Sequence, residues 1–274
     1  MTGSIGFDHI YGYFIEWDTI PCPAFRIFVA SSRLSVSTSE WKRRNFCMNI
    51  ESYTTTYTRP VDIKKLDFIH RHLAEAGVRR VLELGCGTGP IAMSLVAKNW
   101  QVKGIDVSAE CVEVARSHGV DAQVGDAATF REGAPYDAVI MADVLTEVVT
   151  PPESLLANAA ANLRLGGLLL ASTSNGYGWF ELTQQRLNPR AYLRRNNTLR
   201  RLLGYDPYVR ADGERQQWYT RQRVLKMAKA AGFELFDQQN SDFMDGSSSS
   251  DIRLADWLPY WAVSGWYFAF HRAR

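Results

Sequence analysis

Cysteine, histidine and net charge are all scarce in this sequence, and each shortage removes a class of function. The 274 residues contain four cysteines, Cys22, Cys47, Cys86 and Cys111, with no Cys-x-x-Cys pair and none of the five histidines at metal-ligand spacing from them. Neither a zinc site nor a disulfide framework is supported, no metal is expected, and a reducing cytoplasm suits this cysteine usage. No uninterrupted apolar run approaches the ~20 residues of a membrane span. The first residues, with Asp8 and Glu16 and no apolar core, make a poor secretion signal. Lysine plus arginine number 31 against 29 acidic residues, a net charge of +2, so nothing global calls for nucleic acid.

What is present is a regular alternation. Ile63, Leu66, Ile69 and Leu73 fall on one helical face and Gly77 supplies a stop, which predicts a helix over 61–76. Short apolar runs predict strands at 79–84, 101–105, 122–125 and 136–141, and Ser108 and Gly119 bound a helix between the second and third. A helix over 152–163, a turn at Gly166-Gly167 and a strand at 168–172 continue the rhythm. A helix over 221–231, a strand at 232–236, a serine-rich loop at 245–251 and a strand at 265–271 complete it. Strands alternating with helices imply a doubly wound α/β fold, its parallel sheet covered on both faces. Residues 1–50 keep no period; aromatics give way to the polar run Ser31–Ser39, and the segment reads as a disordered extension or an over-extended start.

The chain is organised around Val81-Leu82-Glu83-Leu84-Gly85-Cys86-Gly87-Thr88-Gly89-Pro90. An apolar strand ends in three glycines at alternate positions, and Pro90 suits the first turn of a helix. Such a turn exposes backbone N–H groups to a ligand with no Cβ in the way. No Lys-Ser/Thr pair follows, which argues against a phosphate-binding P-loop. Cys86 is the small residue inside the turn. In a doubly wound sheet the ligand lies beyond the carboxyl ends of the strands, and Asp106, closing the second strand 21 positions after Gly85, suits a carboxylate that accepts from both ribose hydroxyls. Nicotinamide enzymes use the same geometry.

The segment Glu83 to Gly89 resembles the first motif, E-x-G-x-G-x-G, of the class I S-adenosylmethionine-dependent methyltransferases. The likeness extends over roughly 60–175. It implies a seven-stranded, mostly parallel Rossmann-like sheet whose last strand runs antiparallel between the fifth and sixth, and S-adenosylmethionine as cofactor. The cofactor residues it implies are Glu83, Gly85, Cys86, Gly87, Gly89, Asp106 with Val107, Asp126 with Ala127 at the adenine, and Ala142 and Asp143 beside the methionine portion. It also implies a domain over 51–274, which would begin near Met48-Asn49, with Tyr53 and Tyr57 folding over the cofactor.

Relatives carry a histidine after the fourth strand where this chain has Glu147; a carboxylate there reads as base, substrate clamp, metal ligand or a helix-start charge. Beyond the fifth strand, Asn175, Tyr177, Trp179 and Phe180 read as the acceptor pocket or as aromatic closure of the core. Residues 176–220 form an insertion rich in aromatics and arginine (Arg186, Arg190, Arg194, Arg195, Arg200, Arg201). It reads as a solvated helix face, or as a lid for a phosphorylated, nucleotide-linked or membrane-surface acceptor. No RNA-recognition signature accompanies the charge. The expected activity is methyl transfer to a small-molecule or lipid/glycan-type acceptor, with oxygen preferred as nucleophile. The alternatives are a nicotinamide-dependent oxidoreductase, which Pro90 and Glu83 disfavour, and a silent protein that keeps the cofactor fold.

Overall fold

The computed structural model describes residues 58–147, 150–179, 202 and 219–273. The extension expected over 1–50, Tyr53 and Tyr57, Phe180 and the insertion's arginines lie outside the described residues. The elements run α1 (Pro60–Glu75), β1 (Arg80–Leu84), α2 (Pro90–Val96), β2 (Gln101–Asp106), α3 (Ala109–Ser117), β3 (Asp121–Val124) and β4 (Tyr136–Ala142). They continue with the single turn α4 (Val144–Glu147), α5 (Pro152–Asn162), β5 (Leu163–Ser174), α6 (Arg221–Ala230), β6 (Phe233–Asn240), α7 (Ser249–Trp257) and β7 (Gly265–Arg272).

The strands form one seven-stranded sheet in the order β3-β2-β1-β4-β5-β7-β6. Pairing is parallel from β3 through β5, and β7 lies antiparallel between β5 and β6 as expected. Chain order reverses where β1 meets both β2 and β4, which makes their carboxyl ends the switch point of the sheet. Alternate residues of the central strands feed two separate cores. Leu82, Leu84, Val139, Met141 and Leu169 pack with Leu155 and Leu156 of α5 and Val224 and Met227 of α6. Val81, Ala138, Ile140, Leu168 and Leu170 pack with Phe68 and Leu73 of α1, Leu95 of α2 and Val112 of α3. Burial on both faces is why these strands read as continuous apolar runs. Among the described residues, no helix is long and apolar enough to cross a membrane.

Three local expectations are corrected. Gly166-Gly167 is not a turn: β5 runs through it, and the register steps from Tyr136↔Leu163 to Ala138↔Leu168. Gly166 takes a positive φ of 70° there, so the pair forms a bulge, for which glycine is as well suited as for a turn. The serine run is a loop only in part, because Ser248 Oγ accepts from Asp251 N at 3.1 Å and starts α7. On α1, Ile63 is half exposed and the inward stripe is Lys65, Phe68, Ile69, His72 and Leu73. Two lysines turn inward because each meets a carboxylate, Lys64 with Asp256 and Lys65 with Asp143.

Candidate active site

The glycine turn follows β1 at the switch point. Gly85, Gly87 and Gly89 have φ of 76°, 53° and 84°, the left-handed region that favours glycine at all three positions. A Cβ on Gly85 would stand 2.5 Å from Val144 Cγ2, so the turn also presses against the residue after Asp143. Gly85 N and Cys86 N both donate to Ile105 O, at 2.7 and 3.1 Å, and Gly89 N donates to Cys86 O at 2.9 Å before Pro90 opens α2. Burial, with the Glu83 and Asp106 charges adding, pushes the Cys86 thiol far up; the side chain is a small filler beneath the turn and no nucleophile.

Two carboxylates bracket this bare backbone. Glu83 is 2% exposed, and its Oε2 has no hydrogen-bond partner among the described residues. Burial pushes its carboxyl up to about 8, with the Asp106 charge adding and the Ala92 N–H and Lys65 opposing. Asp106 ties the turn to the next helix: Oδ2 accepts from Gly87 N at 2.8 Å and Oδ1 from Ser108 N at 2.9 Å. Burial raises its pKa, against these same N–H groups. Each oxygen keeps a second acceptor site, which suits a diol. At the neighbouring tip Gly125 N donates to Asp106 O, and Asp126 follows, its Oδ1 accepting from Ala128 N at 2.8 Å. The Ala127 carbonyl accepts from Asn158 Nδ2 at 2.6 Å. Val107 is exposed beside Asp106. An orphaned buried carboxyl oxygen, a turn with glycine at three alternate positions and two acids at successive strand tips fit an adenosyl cofactor with an amino-acid tail.

At the tip of β4, just past Ala142, Asp143 holds a positive φ of 61°, rare for a residue with a Cβ. Its N–H donates to Ser172 Oγ at 3.0 Å, Oδ1 accepts from the same hydroxyl at 2.8 Å, and Oδ2 meets Lys65 Nζ at 2.5 Å. Burial pushes this carboxyl up, but the Lys65 ammonium and the Ser172 hydroxyl outweigh it and hold it below the usual carboxylate range. From here a cleft of about 340 Å³ runs along the tips of β5, β7 and β6, lined by Lys65, Asp143, Thr173, Asp242 and Tyr267 among others. That volume is of the order that holds a small ligand.

The expected acceptor residues divide. Asn175 lines the cleft, but its Nδ2 donates to Val263 O at 2.8 Å and its Oδ1 accepts from Tyr177 N at 3.1 Å, so its amide holds the turn. Tyr177 and Trp179 are about half exposed and stand outside the cleft lining. Glu147 ends α4, and its side chain lies outside the described residues. Lys65, Ser172, Thr173 and Asp242 were not anticipated. The signal for Lys65 was present: it shares the i, i+4, i+7 stripe with Ile69 and His72. Nothing local marks Asp242.

The sequence profile described as a methyltransferase domain matches residues 57–238. The chain is 36% identical over 120 residues to a ubiquinone biosynthesis O-methyltransferase of Chromobacterium violaceum, covering 40% of this chain and 50% of that protein. The chain thus spans about half the length of the curated relatives it matches. A methyltransferase from Methanosarcina mazei superposes with a TM-score of 0.56 at 17% identity, covering 75% of this chain and 96% of that one. Magnesium protoporphyrin IX methyltransferase from Synechocystis, with bound S-adenosylmethionine, superposes with a TM-score of 0.55 at 13% identity, covering 87% and 99%. At such identities the superpositions speak to the fold, whereas the profile spans most of the chain and takes in the glycine turn and both acidic strand tips. The chain belongs to the class I S-adenosylmethionine-dependent methyltransferase family.

Proposed function

We propose that the chain transfers the methyl group of S-adenosylmethionine to a hydroxyl oxygen of a small-molecule or lipid/glycan-type acceptor held in the cleft at the tips of β4 to β6. One observation carries this reading. Asp143 lines the cleft, while the next residue, Val144, packs against Gly85 of the glycine turn. The two compartments therefore share a wall, as a transfer between two bound molecules requires. The O-methyltransferase names of the 36%-identical relatives support oxygen as the nucleophile.

The cofactor supplies a methyl carbon made electrophilic by its sulfonium. Glu83, Gly85, Cys86, Gly87 and Gly89 form its seat, Asp106 with Val107 takes the ribose, and Asp126 with Ala127 takes the adenine. Ala142 and Asp143 border the methionine end. An attacking hydroxyl must shed its proton. Asp143, ionised, stands where it can take that proton; Lys65 lowers its basicity, but the same ammonium favours the negative charge developing on the oxygen. Glu147 is the other carboxylate that we assign to proton removal or to clamping the acceptor.

The test is calorimetric titration with S-adenosylmethionine, S-adenosylhomocysteine and NADH, followed by radiolabelled methyl transfer to panels of phenols, sugar alcohols and amines. Binding of the two sulfur compounds and label on oxygen are expected. Binding of NADH alone would overturn the cofactor assignment, and label on amines alone would overturn the choice of oxygen.

A further inference from the structure

The cleft wall farthest from the glycine turn is built by the end of β6. Asp242, two residues past that strand, is 9% exposed. Its Oδ1 accepts the Ser241 hydroxyl at 2.6 Å, its backbone carbonyl accepts Ser264 N–H at 2.8 Å, and Oδ2 has no hydrogen-bond partner among the described residues. Thr173 Oγ1, on β5 in the same cleft, is also buried without a partner among the described residues. A buried polar group left unmet is costly, and Thr173 Oγ1 beside the carboxylate oxygen that Asp242 leaves open to the cleft indicates a polar ligand.

The charges say of which sign. Two cationic and four carboxylate side chains line the cleft, and both cations already meet carboxylates, Arg59 with Asp62 and Lys65 with Asp143. The groups facing Asp242 are Asp251 of α7, Asp245 of the loop before it and Arg59 at the start of α1. Asp251 accepts from the N–H groups of Phe243, Met244 and Gly246, and Asp245 from Ser247. Burial first, then the Asp251 and Asp245 charges, push the Asp242 carboxyl up to about 6. A cation beside Oδ2 would relieve the burial and the repulsion together.

We infer that Asp242 selects the acceptor by binding a protonated amine at the end remote from the methylated oxygen. The inference rests on reading the cleft as the acceptor site. β6 stands three positions from β4 in the sheet order, roughly 14 Å at ~4.8 Å per strand. Subtracting a hydrogen bond of ~3 Å at each end leaves roughly 8 Å between nucleophile and amine, the span of an extended six-carbon amino alcohol. The acceptor class is therefore an elongated hydroxyl compound carrying a basic nitrogen.

The probes are 6-aminohexan-1-ol, its neutral analogue hexane-1,6-diol and its anionic analogue 6-hydroxyhexanoate. Each is titrated at millimolar concentration into the full-length protein saturated with S-adenosylhomocysteine. The wild type is expected to bind the amine about ten-fold tighter than the diol and to disfavour the acid, and Asp242→Asn to cut amine affinity about ten-fold while leaving the diol unchanged. Amine affinity in the wild type falls as the pH drops through about 6 and Asp242 takes up a proton. The wild-type selectivity and pH profile stand even if the variant fails to fold. No preference for the amine, a preference that persists in Asp242→Asn, or a pH-independent affinity would each overturn the inference. Failure of S-adenosylhomocysteine to bind the wild type would instead count against the methyltransferase reading.

Discussion

Replacing Glu83 by Gln removes one ionisable group from beneath the glycine turn while keeping its shape. In the folded protein burial lifts this carboxyl from 4.5 to about 8. An acid raised on folding binds more protons in the native state than in the unfolded one, so its contribution is most favourable below pH 4.5 and is lost as the pH rises toward 8. The slope is ~1.4 kcal/mol per pH unit. By neutral pH about two and a half units of that window have been crossed, and Glu83 costs the fold about 3 kcal/mol. That is a large share of a typical net stability of about 5–15 kcal/mol. Gln carries no such cost. The stability of Glu83→Gln relative to wild type should therefore climb through the window and level off above it, read by urea denaturation without cofactor at a series of pH values. A difference independent of pH would refute the reasoning, since it would mean that the carboxyl sits ionised in the core at its ordinary pKa.

Asp106→Ala removes the acceptor pair that also fixes Gly87 and Ser108, and is expected to weaken S-adenosylhomocysteine binding by at least about ten-fold in calorimetry; unchanged affinity would mean that the ribose is held elsewhere. Gly85→Ala forces a Cβ to within 2.5 Å of Val144 at a φ of 76°; a loss of about 1–3 kcal/mol in denaturation is expected. Lys65→Met leaves Asp143 without its ammonium. Methyl transfer is expected to fall more than cofactor affinity, and the Asp143 carboxyl to titrate at higher pH, which carboxyl NMR reads. Glu147→Gln separates the two candidate bases: a large fall in turnover with cofactor affinity preserved supports its role, and wild-type turnover rejects it.

The sheet was legible because its central strands are buried on both faces and so appear as plain apolar runs, and the glycine turn because its three positive φ values call for one residue type. Asp106 and Asp126 could be picked out because strand ends locate them. Lys65 lies on the inward stripe of its helix but was passed over, since reading apolar spacing puts hydrophobic residues inward, and the carboxylate that it meets is 78 positions away in the chain. Asp242 is held by Ser264, 22 positions on, and faces the charge of Asp251, neither of which any local pattern announces. The serine run concealed the start of α7, because the residue type that makes a flexible loop also makes a good helix cap.

The reversed direction of β7 has a practical corollary. Gly265 begins at the same edge as the cleft, and Arg272 ends at the edge where β1, β4 and β5 start, pairing there with Phe233 at the beginning of β6. A fluorophore attached at position 272 therefore sits at the edge of the sheet opposite the cleft.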